Sequence, residues 1–320
     1  MTNKAKLALT LGLTTFFLVL GSCSKEESIM SRSLSLQEAE QRFSSKSEVV
    51  QCIGLARKVL GFAMDQYAIS FDKKQLRLLP GSEEHLAWRL FVLPKKSLQP
   101  LSNILYFDAA SLETQKEKAL KDGHTVYVSG ENPLYIGNKV APLLETWARW
   151  NYDRQVERVF QLVFYQFALK LKRADAKSLA LFLAEKATEE YLLQTLGGAS
   201  PVLSRYISEQ RDEKTFARLF PDFAERVYNL YSHRDPAATE EILETSRTQL
   251  LKVWIAEYKK RYTERFLTNR YSQFGASIPS DGELLALQFQ LEPLRNWNQY
   301  QGEYRRAGES LAAYLKILGK

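Results

Sequence analysis

The chain has 320 residues, 45% of them hydrophobic and 25% charged. That is enough apolar material for a sizeable core, in one large domain or two small ones. Its 44 Lys and Arg against 37 Asp and Glu give a mild excess of positive charge that reads as a solvated surface, with at most a modest attraction to anionic lipid. No G-x-S-x-G elbow, G-x-x-x-x-G-K-[ST] loop or G-x-G-x-x-G turn is present, so the motif-bearing serine hydrolases, P-loop enzymes and dinucleotide binders are excluded.

Lys4 and Lys6 precede a short apolar run, Leu7 to Leu20, which is too short to span a membrane comfortably. The run ends in Leu20-Gly21-Ser22-Cys23 and resembles a bacterial lipobox. The expectation is a signal peptide over 1–22, cleavage before Cys23, and acylation of its thiol and new amino group, palmitate being one such chain. More than one fatty chain makes such an anchor stable. Ser24, where an Asp would favour inner-membrane retention, points to the outer membrane if the bacterium has one. Ser24 to Ser35 shows no periodicity and reads as a polar tether, so 23–35 is expected to be acylated Cys plus tether. With Cys23 acylated, only Cys52 is left and no intramolecular disulfide can form.

From Leu36 the pattern is helical. Val49, Ile53, Ala56, Leu60, Ala63 and Tyr67 recur on one helix face, and Cys52 within it reads as a small core residue. His85 to Leu93, closed by Pro94, reads as a strand. Ile104 to Asp108 is a second strand, Leu112 to Lys121 a helix, and His124 to Gly130 a third strand by its alternation. A small sheet over about 85–130 is therefore expected beside a helical hairpin at 153–197. From Val159 to Leu171 apolar residues cover nearly the whole helix circumference, the mark of a helix in the middle of a core. Lys170 to Asp175 marks the turn. The second helix, with Ser178 to Tyr191, stops at Gly197-Gly198, where a left-handed cap is expected. Glu185, Glu189 and Glu190 read as its exposed face.

The stretch 200–320 reads as helical, over Tyr206 to Tyr231, Thr239 to Phe274 and Leu311 to Leu318. Val227, Leu230, Leu250, Leu251, Val253, Trp254, Ala256 and Tyr258 read as core-facing. Lys259, Lys260, Arg261, Arg265 and Arg270 alternate with Glu257 and Glu264, which reads as a solvated, ion-paired face. The fold class is thus α+β, mostly α-helical, with 36–320 as a single domain.

Several words of the sequence, in order, resemble the predicted aminopeptidase family of the bacterial envelope. They are Ala87-Trp88-Arg89-Leu90-Phe91 with Pro94, Ser97-Leu98-Gln99-Pro100, Ile104 to Asp108, Val126-Tyr127-Val128, the hairpin, and Ile278 to Leu287. The resemblance implies a zincin-like hairpin core. In such an enzyme two His at i and i+4 of an H-E-x-x-H helix bind zinc, the Glu activates a water, and a Glu of the next helix completes the ligand set. Here Phe164 matches the residue before the motif. Tyr165 and Leu169 stand for the two His, and Gln166 for the general base. Lys177 or Phe182, depending on turn length, stands for the last ligand. Ser280 and Asp281 replace an Asn pair. None of these can do the metal chemistry, so no catalytic residue, no metal ligand and no cofactor are expected, zinc being what the family would carry.

The resemblance and its failure at the motif imply a lipid-anchored pseudoenzyme of the cell envelope. It would keep a groove (Tyr127, Tyr165, Gln166, Glu185 and Asp281 as candidates) and bind a peptide or an envelope protein. Strand-edge addition is the common mode in zinc peptidases. An extracytoplasmic location argues against nucleic acid as a partner. Two other readings stand. One is an active aminopeptidase whose metal is held by His85 or His124 with Glu185 or Glu189. The other is an assembly lipoprotein acting through its helical C-terminal part.

Overall fold

The computed structural model describes residues 26–94, 100–232, 239–261, 280–294 and 296–319. Cys23 and the expected signal peptide lie outside them, as do Ser97 to Gln99 and most of the cluster after Arg261. The fold is α+β and mostly helical, with three small sheets among the described residues. Among the described residues no helix is long and apolar enough to cross a membrane.

The described chain starts in a helix, 26–32 (α1), and Ile29 is buried with Leu79, Leu86, Ile136, Ala141 and Leu144. The described part of the expected tether therefore packs onto the fold; Ile29, Met30 and Leu34 are too few apolar residues to set a period. Strand β1 (Leu34–Ser35) follows, then α2 (Leu36–Arg42). Ser35 and Glu38 form a reciprocal capping box that satisfies two donors at the start of α2. Helix α3 (Ser47–Tyr67) buries all six residues of the predicted stripe, and Cys52 with them. Burial pushes the Cys52 thiol up to about 11, which leaves it a small core group. A 3-10 turn at Lys73–Gln75 leads into β2 (Arg77–Leu79).

Three antiparallel strands follow: β3 (Ala87–Leu93), β4 (Ser102–Tyr106) and β5 (Thr125–Glu131), in the order β4-β3-β5. Helix α4 (Ala109–Lys121) sits between β4 and β5 in sequence, and Asp108 caps it. Strand alternation sends the two faces of this sheet to different partners. Leu90 and Tyr106, with Trp88, Val92, Val126 and Val128, cluster with Leu112 of α4. On the other face, Phe91 and Leu93 join the apolar residues of later helices. Short strands β6 (Tyr135–Ile136), β7 (Lys139–Val140) and β8 (Leu143–Leu144) and a 3-10 segment at Glu145–Arg149 then approach the hairpin.

The hairpin is α5 (Tyr152–Lys170) and α6 (Ala176–Leu196). Val156, Val159, Phe160, Leu162, Val163 and Phe164 of α5 are inaccessible to solvent, as are Leu179, Ala180, Phe182, Leu183 and Ala187 of α6. Each large apolar side chain so buried contributes about 1.5–3 kcal/mol. Helix α6 ends at Gly197, whose φ of 80° is the expected sign, although its ψ of 161° lies outside the left-handed helical basin.

Helix α7 (Pro201–Ser232) contains Pro221, and α8 (Glu240–Arg261) lies against it. Val227, Leu251 and Trp254 face the core as the pattern predicts, whereas Val253 and Ala256 are exposed. Helix α9 (Asp281–Leu291) starts with a Ser280–Glu283 capping box and packs on β3 and β5. Helices α10 (Trp297–Arg306) and α11 (Leu311–Leu318) close over α6 and α3.

Candidate functional site

A cleft of about 1570 Å³ opens between the end of the β3–β5 ladder, the hairpin, the start of α7 and the end of α9. Its floor is one face of α5, where Arg154, Glu157, Arg158, Gln161 and Tyr165 recur at helical spacing. Gly130, Glu131 and Asn132 bring the end of β5 to the opposite wall, and Lys177 enters from the first turn of α6. The sheet order leaves β5 an edge strand.

The polar residues in the first half of α5 are mostly buried, which its apolar pattern does not announce. Asp153, Gln155, Glu157 and Arg158 are all buried. Asp153 accepts a 2.6 Å bond from Arg205, Arg154 bridges Glu157 and Glu209, and Gln210 donates to Glu157 at 3.1 Å. These ties join α5 to α7. Gln155 donates to the carbonyls of Trp147, Ala148 and Trp150 and so fixes the turn into α5. Arg158 donates to the Pro133 carbonyl at 2.8 Å, and desolvation pushes its guanidinium down to about 10.

Two of the five motif positions line the cleft. Tyr165 is half-buried and meets Tyr135 edge-on at 5.5 Å; desolvation raises its pKa. Lys177 lies 5.7 Å from the Phe289 ring. Enough protein crowds Lys177 for desolvation to lower its pKa, yet the side chain is exposed because the cleft is open. The other three lie elsewhere. Gln166 is buried and donates to Gln75 at 2.8 Å, because one residue along a helix is a rotation of about 100°. Leu169 lies past the cleft near the end of α5 and is 37% exposed, which also breaks the expected all-round burial there. Phe182 is fully buried among Trp297, Tyr300, Tyr304 and Tyr314.

The other groove candidates separate as well. Tyr127 packs on Phe91 at 6.5 Å and is touched by the backbone of Gly282, where a Cβ would fall 2.2 Å from the Tyr127 Cβ. It is not part of the cleft lining. Asp281 is the first residue of α9, and its side chain lies outside the described residues. Glu185 corrects the expectation of an exposed helix face, being 1% exposed. Its Oε1 accepts from Lys214 at 2.7 Å and lies 3.2 Å from Lys186. Burial pushes the Glu185 carboxyl up to about 7, against the pull of both lysines. Glu189 and Glu190 are half-buried.

The two histidines offered for the alternative metal site lie apart from each other. His85 lies against Gly130, and His124 immediately precedes Thr125. Ala87 pairs with Glu131 and Leu93 with Thr125, so the two histidines flank opposite ends of one ladder. At about 3.3 Å per residue that is roughly 20 Å, too far to share an ion whose ligand bonds are ~2 Å. Among the described residues no group of three or more His, Cys, Asp or Glu side chains is placed to hold a metal. No known protein family, curated protein or solved structure matches the chain.

Proposed function

We propose that this chain is a lipid-anchored envelope protein that binds a peptide in the cleft of α5 without hydrolysing it. The observation that carries the reading is the cleft itself: it lies between an edge strand and the helix on which the resemblance places the motif, and Tyr165 and Lys177 line it instead of metal ligands. An edge strand can take an extended peptide by main-chain pairing, and alternate side chains would then reach the cleft. Neither Tyr165 nor Lys177 is a zinc ligand at neutral pH, and Gln166 cannot take a proton from water.

Purified chain lacking residues 1–23 is the material for the test. Retention of acetylated peptides on the immobilised protein supports the reading, together with no release of N-terminal amino acids after zinc loading. Metal-dependent release of amino acids sinks it. Changing Cys23 to Ser is expected to move the cellular protein from the membrane to the soluble fraction; unchanged membrane association sinks the anchor.

A further inference from the structure

Six basic side chains line the cleft, and four have acidic neighbours. Arg89 pairs with Glu131, Arg154 with Glu157 and Glu209, and Arg205 with Asp153. Arg149 is exposed and lies in the field of Glu145.

Arg158 and Lys177 differ. Arg158 is 7% exposed, and among the described residues its one hydrogen bond is to the Pro133 carbonyl. Neither residue has a carboxylate within ion-pair distance among the described residues. A guanidinium has five N–H groups, so most of this one is left to the cleft. Burying a charge without a counter-charge is unfavourable, and an incoming anion relieves it. Lys177 comes from the other arm of the hairpin and lines the same cleft.

A carboxylate presents two oxygens that match the free N–H groups of a guanidinium, and the end of a peptide carries one. Tyr135, Tyr165 and Leu181 line the same space and offer apolar contact to a side chain next to that carboxylate.

We propose that Arg158 and Lys177 form a subsite for the C-terminal carboxylate of the bound peptide, an inference that rests on the peptide-binding reading above. Arg158 supplies the directional N–H groups, and Lys177 a point charge on a mobile stem.

The test offers the immobilised chain acetylated random pentapeptides carrying either a free C-terminal carboxylate or an amide. The carboxylate series is expected to bind about tenfold or more tighter. Arg158→Gln and Lys177→Gln are each expected to abolish that preference. Arg158 is buried, so a urea midpoint checks the fold of its variant; Lys177 is exposed, and its variant carries the test alone if Arg158→Gln does not fold. Equal retention of the two series overturns the subsite and leaves the peptide reading standing. Selective capture of Asp- or Glu-containing amides overturns the C-terminal assignment. Retention of neither series refutes peptide binding, and small anions then decide the subsite. Succinate raising the unfolding midpoint of wild type but of neither variant supports it; no succinate effect, or a larger effect of inorganic phosphate, overturns it.

Discussion

Phe182 stands at one of the two positions that the resemblance would match to a zinc-binding Glu, and the structure makes it a packing residue. Trp297, Tyr300, Tyr304 and Tyr314 surround it with ring centroids 4.9 to 6.1 Å away. The cost of Phe182→Ala depends on whether those rings can collapse into the space left. Three of them are pinned by their hydroxyls: Tyr300 donates to Asp175 at 2.5 Å, Tyr314 to Glu303 at 2.6 Å and Tyr304 to the Glu309 carbonyl at 2.6 Å. Collapse would break these bonds, so the cavity should persist. The loss then lies toward the upper end of the ~3–5 kcal/mol seen for buried Phe→Ala changes. That is a large part of the ~5–15 kcal/mol by which a protein is usually stable. The assay is urea unfolding followed by fluorescence, comparing midpoints at a constant m. Leu169→Ala is the control: the resemblance would match it to a ligand too, but its side chain is partly exposed, and about 1 kcal/mol or less is expected. A Phe182→Ala loss below about 1 kcal/mol would refute the pinned-cavity argument.

Three further outcomes follow from the same structure. Gly282→Ala is expected to cost about 1–3 kcal/mol, since the new Cβ meets the Cβ of Tyr127, which is fixed to its backbone; Tyr127→Ala keeps that atom and should give no rescue in urea melts. Glu185 has its folded pKa raised to about 7 from a normal 4.5, so its contribution is complete below pH 4.5 and is lost as pH rises through 7. Wild type should therefore lose stability relative to Glu185→Gln between those values, and a pH-independent difference in urea midpoints would count against the burial argument. Asp175 is the opposite case: the Arg173 bond first, then the Tyr300 hydroxyl, hold its pKa at about 2 against a normal 3.8. Its contribution, roughly 1 kcal/mol after solvent screening, is present above pH 3.8 and lost as pH falls through 2. Acid titration of wild type against Asp175→Asn should show the two converging.

The elements with strong periodicity were legible. The stripe from Val49 to Tyr67 became the buried face of α3, and the apolar arms of the hairpin became α5 and α6. The three strands of the β4-β3-β5 sheet fell where alternation and Pro94 placed them, with ends displaced by a residue or two. The cleft was harder. Reading the hairpin as a motif fixed attention on 164–169, while the open face of α5 runs from Arg154 to Tyr165. Arg154, Glu157, Arg158 and Gln161 carry the helical spacing of that face, and a run of polar residues on a helix otherwise buried was the available signal. Glu209 and Gln210 of α7, the partners of Arg154 and Glu157, lie about fifty residues away, and no local pattern links them. Glu185 was misread for the same reason: its partner Lys214 is 29 residues distant.

The aromatic cluster around Phe182 ties the order in which the chain is made to the order in which it can become native. The bond from Tyr300 to Asp175 spans 125 residues. The two arms of the hairpin can meet early, because they are neighbours in sequence. The outer side of α6 stays uncovered until α10 and α11 arrive at the far end of the chain. Contacts of such separation form late, and the surface waiting for them is apolar. A chain stopped before Trp297 would have its hairpin and its sheet but would present Phe182 and its neighbours to solvent. A nonsense change near the C-terminus should therefore act as a folding lesion of the whole protein, well before it acts as the loss of a tail.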